Sequence, residues 1–238
     1  MKTLYLVIFS SLLLFSCRWT NKTIDGNGKI VTQNRSVQNA EKIELAGNFD
    51  VEITQGDKTQ VSIETDENLQ SYIVINESDN KLVLKEKNNY QLKSDFPIKI
   101  HITTPKLSKI SLSGSGSVIG KNKFIGMDKL LLGLSGSGKM DLAVNTPALE
   151  VDIAGVGSML LSGETKNAEF KIAGSGDCDA TQLKTENTKV KVAGVGTIKV
   201  FADVLLDVSI AGSGSVYYKG AATIKQKIAG VGSIKKLD

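Results

Sequence analysis

From Ile110 onward, apolar residues fall at every second position in short runs, and each run is broken by a pair of glycines. Aligned on that pair, seven segments read ISLSGSGSV (110–118), LGLSGSGKM (132–140), VDIAGVGSM (151–159), FKIAGSGDC (170–178), VKVAGVGTI (190–198), VSIAGSGSV (208–216) and QKIAGVGSI (226–234). The pairs are Gly114/Gly116, Gly136/Gly138, Gly155/Gly157, Gly174/Gly176, Gly194/Gly196, Gly212/Gly214 and Gly230/Gly232, with first members 18 to 22 residues apart. A period of two marks a strand with one buried face. A self-similar repeat near twenty residues marks a solenoid. Each repeat therefore reads as a coil of short strands, and the Gly-x-Gly is a corner needing positive φ or close backbone approach. The predicted fold is all-β: a parallel β-helix of about 18–22 residues per coil, right-handed because parallel crossovers almost always are.

Before Ile110 the alternation is looser. KIELAGNFDVEI (42–53), QVSIETDE (60–67), SYIVINE (71–77), KLVLKEK (81–87) and FPIKIHITT (96–104) read as strands, with turns at Gln55-Gly56-Asp57 and Ser78-Asp79-Asn80. LAGNFDVEI looks like the repeat with its second glycine replaced. Residues 40–238 are thus expected to form one domain, with irregular coils and capping strands over 40–105 and regular repeats over 106–238. Gln226 and Lys236 stand in columns that are apolar elsewhere, as suits a terminal cap.

The N-terminus has a different pattern. Lys2 precedes an apolar run, Leu4–Phe15, too short to span a bilayer but suited to an export signal. It ends in Leu14-Phe15-Ser16-Cys17, which resembles the lipobox of bacterial lipoproteins. The expectation is a signal peptide over 1–16, lipidation at Cys17, a polar tether over 17–39, and a lipid-anchored protein of the cell envelope, at the outer membrane. Acylated Cys17 leaves Cys178 without a disulfide partner.

Charge narrows the partners. The net charge is +4, yet Arg18 and Arg35 are the only arginines, and aromatic residues make up 5%. Lysines alternate with acids, so nucleic acid is not an expected partner. Glu169, Lys189, Asp207 and Lys225 occupy one outward column in alternating sign and predict a solvated ladder up the coils.

The lipobox, the stretch AGNFDVEITQGD (46–57) and the reiterated S/A-G-S/V-G together resemble the bacterial family called putative auto-transporter adhesin, head GIN domain. The resemblance covers about residues 40–238. It implies a β-solenoid on an exported, often lipid-anchored protein of the Bacteroidetes type, and it supplies no catalytic motif.

Four stretches could be mistaken for chemistry. Gly133–Met140 falls one residue short of a phosphate-binding loop, with Met140 where the magnesium-binding hydroxyl belongs. His101, the sole histidine, lies opposite the isoleucines of Ile98–Ile102 and reads as an exposed strand residue. Cys178 fills a column otherwise Val, Met and Ile and reads as inert. Gly174–Asp179 is a single, partial match to a calcium-binding turn whose aspartate the other coils lack. No catalytic residue, metal site or cofactor is assigned. The function expected is a non-enzymatic binding or scaffold module, adhesin-like, whose ligand is an envelope protein or a glycan; no pattern selects between these or fixes an oligomeric state. The alternative is a glycan-active β-helix enzyme of the lyase or hydrolase kind, with Asp177 and Asp179 as the candidate carboxylate pair.

Overall fold

A computed structural model describes residues 21–238. The expected signal peptide and the expected lipidation site, Cys17, lie outside the described residues. The N-terminal strands are β1 (Lys22–Asp25), β2 (Ile30–Arg35), β3 (Lys42–Ala46), β4 (Asp50–Gln55), β5 (Gln60–Asp66), β6 (Ile73–Ser78), β7 (Lys81–Glu86), β8 (Tyr90–Lys93) and β9 (Lys99–Thr104). The regular part contains β10 (Lys109–Gly114), β11 (Ser117–Gly120), β12 (Lys129–Gly136), β13 (Lys139–Gly155), β14 (Ser158–Gly174) and β15 (Asp177–Gly194). It continues through β16 (Thr197–Phe201), β17 (Leu205–Gly212), β18 (Ser215–Lys219), β19 (Thr223–Gly230) and β20 (Ser233–Lys236). All except the β1–β8 pair join one hydrogen-bonded sheet that winds as a solenoid.

The apolar columns stack in register. Leu84, Leu45, Leu112, Leu134, Ile153, Ile172, Val192, Ile210 and Ile228 are successive parallel partners. A second column runs from Ile100 and Val51 through Val118, Met140, Met159, Cys178, Ile198 and Val216 to Ile234. Both are buried up to the last coil, where Ile228 is 39% exposed and Ile234 is only partly covered. Full burial of such a side chain stabilises by about 1.5–3 kcal/mol, so each added coil covers the one before it. β19 is exposed along its length, since it pairs only with β17 among the described strands.

The two glycines of a corner are needed for different reasons. Gly174 has φ +116°, and a Cβ there would lie 2.6 Å from the carbonyl oxygen of Gly155 in the coil below. The other first glycines of the regular pairs share this conformation, with φ between +113° and +135°. The second glycines differ from the first in which of the two needs they meet, close backbone approach and not positive φ. Gly116, Gly138, Gly157, Gly176, Gly196, Gly214 and Gly232 all lie outside that region. What they require is space. A Cβ on Gly176 would come within 2.5 Å of Ile153 Cγ2 and 3.0 Å of the Gly157 carbonyl oxygen. One on Gly138 would lie 2.8 Å from the Gly116 carbonyl oxygen, and one on Gly214 3.0 Å from that of Gly196. At the last corner, a Cβ on Gly232 would stand 2.8 Å from the Gly214 carbonyl oxygen. The first glycine serves both the turn and the stacking; the second serves the stacking alone.

The N-terminal part departs from the repeat. β3 and β4 form a coil whose corner is Gly47-Asn48-Phe49, and β10 and β11 stack on one side of it. β7 and β9 stack on the other. These two are joined by residues 87–98, not by a tight corner, and Phe49 is fully buried where the second glycine would stand. Antiparallel strands then close this end: β6 on β7, β5 on β9 and β2 on β5.

Residues 17–39 therefore correct the expected tether. Within the described stretch, β1 pairs with β8 in parallel and β2 pairs with β5 from Ile30↔Asp66 to Arg35↔Val61. β2 is an edge strand, so half of its side chains stay solvated and its polar sequence IVTQNR is compatible with pairing. Arg35 fixes it further: its Nη2 donates to the carbonyl oxygen and Oε1 of Gln70, at 3.0 and 2.9 Å.

Candidate functional site

The carboxylates of the enzyme alternative open β15 directly after the Gly174–Gly176 corner. Cys178 points into the core between them, so Asp177 and Asp179 both face out. Asp177 pairs in register with Ser158 and Thr197, and Asp179 with Leu160 and Lys199. The Thr197 amide donates to Asp177 Oδ1 at 3.0 Å. Asp179 Oδ1 accepts from the Thr181 amide at 3.1 Å and its hydroxyl at 2.7 Å, while Lys199 Nζ lies 3.6 Å from Oδ2. Partial burial opposes ionisation of Asp179, but the Thr181 and Lys199 donors outweigh it and hold the pKa below the ordinary value. A general acid needs the opposite shift. At Cys178, burial first, and then the charges of Asp179 and Asp177, push the thiol far above its ordinary value. Such a thiol supplies almost no thiolate.

The same pattern recurs along the coils. Hydrogen bonds from Lys129 and Lys171 lower Glu150 to about 2; Lys129 Nζ lies 2.8 Å from Oε2 and Lys171 Nζ bonds Oε1. Lys191 donates to Glu169 at 2.9 Å and lowers it. Lys109 does the same for Glu44 at 2.9 Å, and Lys121 for Glu52 at 3.0 Å. The column Glu169, Lys189, Asp207, Lys225 is in register as expected. Its hydrogen-bonded pairs, however, run diagonally. Lys191 stands opposite Lys171 and reaches Glu169; Lys171 stands opposite Asp152 and reaches Glu150. Long lysine side chains span this diagonal, and doing so separates Glu150 from its like-charged register partner Glu169.

The remaining stretches resolve simply. Gly133–Met140 is strand, corner and strand, with no helix to cradle a phosphate. His101 is half-exposed on β9 between buried Ile100 and Ile102, and its Nδ1 lies 3.1 Å from Glu52 Oε2. Among the described residues, no group of three or more His, Cys, Asp or Glu side chains could hold a metal ion.

A family model, putative auto-transporter adhesin, head GIN domain, matches residues 39–222. The chain belongs to this family. A solved structure described as a putative adhesin from Bacteroides fragilis is 29% identical over 90% of this chain and 100% of its own, with a TM-score of 0.84. One described as a putative lipid binding protein from Parabacteroides distasonis is 28% identical over 91% of this chain and 100% of its own, with a TM-score of 0.77. A putative adhesin from Parabacteroides merdae, 22% identical over 91% of this chain and 100% of its own, shares the fold at a TM-score of 0.70. No curated protein matches the chain.

In this GIN-domain chain the few aromatic residues of the repeats divide by parity. Phe124 and Phe170 are core residues, and Tyr218 packs against the core. Phe201 lies between buried Val200 and Ala202, and Tyr217 between Val216 and Tyr218, so both face outward. Sequence reasoning counted these rings without placing them, although the two-residue period puts them in phase with outward Lys199.

Proposed function

We propose that this chain is a non-enzymatic binding module of the cell envelope, carried on a lipid anchor at Cys17 and presenting its solenoid as an adhesin-like surface. The observation that carries the reading is the state of the outer carboxylates. Glu44, Glu52, Glu150, Glu169 and Asp179 are all lowered, and each is tied to a lysine of a neighbouring coil. Carboxylates fixed as anions form a rigid charge pattern suited to recognition, whereas acid–base turnover of a glycan needs one of a pair kept protonated. The adhesin descriptions of the structural neighbours point the same way.

Two measurements test the reading. The purified chain, applied to an array of envelope proteins and glycans, should retain a partner without altering it. Cys17→Ala should abolish fatty-acid labelling and release the exported protein from the membrane fraction; unchanged labelling would remove the anchor from the account.

A further inference from the structure

Basic charge is concentrated at one end of the solenoid. Residues 219–238 contain Lys219, Lys225, Lys227, Lys235 and Lys236 against one acid, Asp238, leaving 24 residues of each sign in residues 1–218. None of these five lysines forms an ion pair among the described residues, while Lys109, Lys121, Lys129 and Lys191 of the earlier coils tie up Glu44, Glu52, Glu150 and Glu169.

The outward column that ends in this region changes character along the stack. It runs Glu52, Ile119, Asp141, Leu160, Asp179, and then Lys199, Tyr217, Lys235. Two residues further along the strands, Phe201 stands in register with Lys219. The face of the last three coils is thus a chequerboard in which each ring adjoins a lysine in the next strand. Register neighbours are about 4.8 Å apart and diagonal neighbours about 7–8 Å.

We propose that this face, formed by Lys199, Phe201, Tyr217, Lys219 and Lys235, binds an acidic polysaccharide, a sugar chain bearing carboxylate or sulfate groups. This rests on the binding-module reading and names its ligand class. The unpaired ammonium groups of Lys219 and Lys235 meet the anionic substituents, and the Phe201 and Tyr217 rings supply flat apolar surface for the faces of sugar rings. An acidic peptide adding as a strand would need a free sheet edge; β20 offers one beside Lys235, but both rings and Lys219 stand on β16 and β18, which are paired on both sides. A bilayer would need protruding apolar side chains, and here the rings are half-buried among lysines.

The test uses the purified full chain in detergent micelles, with immobilised polygalacturonate and heparin as probes, and dextran, polyglutamate and phosphatidylglycerol vesicles as comparisons. The paired variant Lys219→Ser/Lys235→Ser and the charge-neutral variant Tyr217→Thr should each weaken retention of an acidic polysaccharide by about tenfold, a shift well outside ordinary scatter. Lys166→Ser/Lys184→Ser, which removes equal charge elsewhere, should change it by less than about twofold. Melting curves confirm that each variant is folded. The inference is overturned if neither polysaccharide is retained, if the control pair weakens binding equally, if Tyr217→Thr has no effect, or if polyglutamate or vesicles bind as tightly. A polysaccharide bound intact but indifferent to these substitutions removes the patch and leaves the binding-module reading standing; cleavage of the polysaccharide removes that reading itself.

Discussion

In the regular coils Gly155, Gly174 and Gly194 stand over one another, each within reach of the carbonyl below, whereas the N-terminal part has one such corner, Gly47–Phe49, and no tight corner beneath it. The regular coils repeat the same few contacts, so their order comes from backbone stacking and stacked apolar columns. The N-terminal strands use individual side chains instead. Gln70 bridges the carbonyls of Val31 and Ile63 at 3.0 and 2.9 Å while accepting from Arg35. Buried Asp66 accepts the Gly28 amide at 2.6 Å and the Ser94 hydroxyl. Repetition makes a long stack with a uniform backbone, and the specific network closes one end of it.

The largest effect should come from the corners. Gly174→Val combines backbone strain of about 1–3 kcal/mol with collision against the Gly155 carbonyl, so a loss above about 3 kcal/mol is expected in denaturant titration. Gly126→Ala is the comparison: φ is +78° and nothing lies within 4 Å, so strain acts alone and the cost should be about 1 kcal/mol. Equal losses would show that coil-on-coil contact contributes nothing. In the N-terminal part, Gln70→Ala strands buried carbonyls and should cost about 1–3 kcal/mol, with amide exchange rising first in β2 and β5.

A smaller effect belongs to the lysine–carboxylate ladder. The folded pKa of Glu150 is depressed from 4.5 to about 2, so its contribution is present above the unfolded value and is lost as pH falls from about 4.5 towards 2. These groups are partly solvated, so Glu150→Gln should cost about 1 kcal/mol or less at neutral pH and flatten the acid limb of the stability curve. An unchanged acid limb would remove the ladder from the stability account. At the bottom of the scale, Cys178 in the folded chain should remain unlabelled by thiol reagents from about pH 6 to about pH 9 and become reactive on unfolding; rapid labelling of the native protein would contradict its placement in the core column.

The regular coils were legible in the sequence because every column appears seven times, and a pattern so repeated outweighs local exceptions such as Cys178 or Phe170. The different duties of the paired glycines were not legible, because Gly174 and Gly176 are the same letter and only the stacked backbone separates a turn from a close approach. The register of Asp177 and Asp179 against Thr197 and Lys199 followed from the same alignment. β1 and β2 were not legible, because edge strands with solvated faces carry no apolar period, and the partners of Arg35 and Asp66 come from distant loops. The diagonal course of the ion pairs depends on side-chain reach, which strand register does not encode. Phe201 and Tyr217 could have been placed by parity, but their meeting with Lys219 and Lys235 becomes visible only when the last three coils are stacked.

The central claim, recognition without turnover, is tested most directly by product analysis. The purified chain would be incubated with a broad panel of neutral and acidic polysaccharides, with and without calcium, beside the variant Asp177→Asn/Asp179→Asn, and chain lengths would be followed by mass spectrometry. The account predicts no shortened or unsaturated products from either protein and no loss of glycan retention in the variant, whose change beside Lys199 removes negative charge. Cleavage by the parent that disappears in the variant, at an unchanged melting temperature, would contradict it.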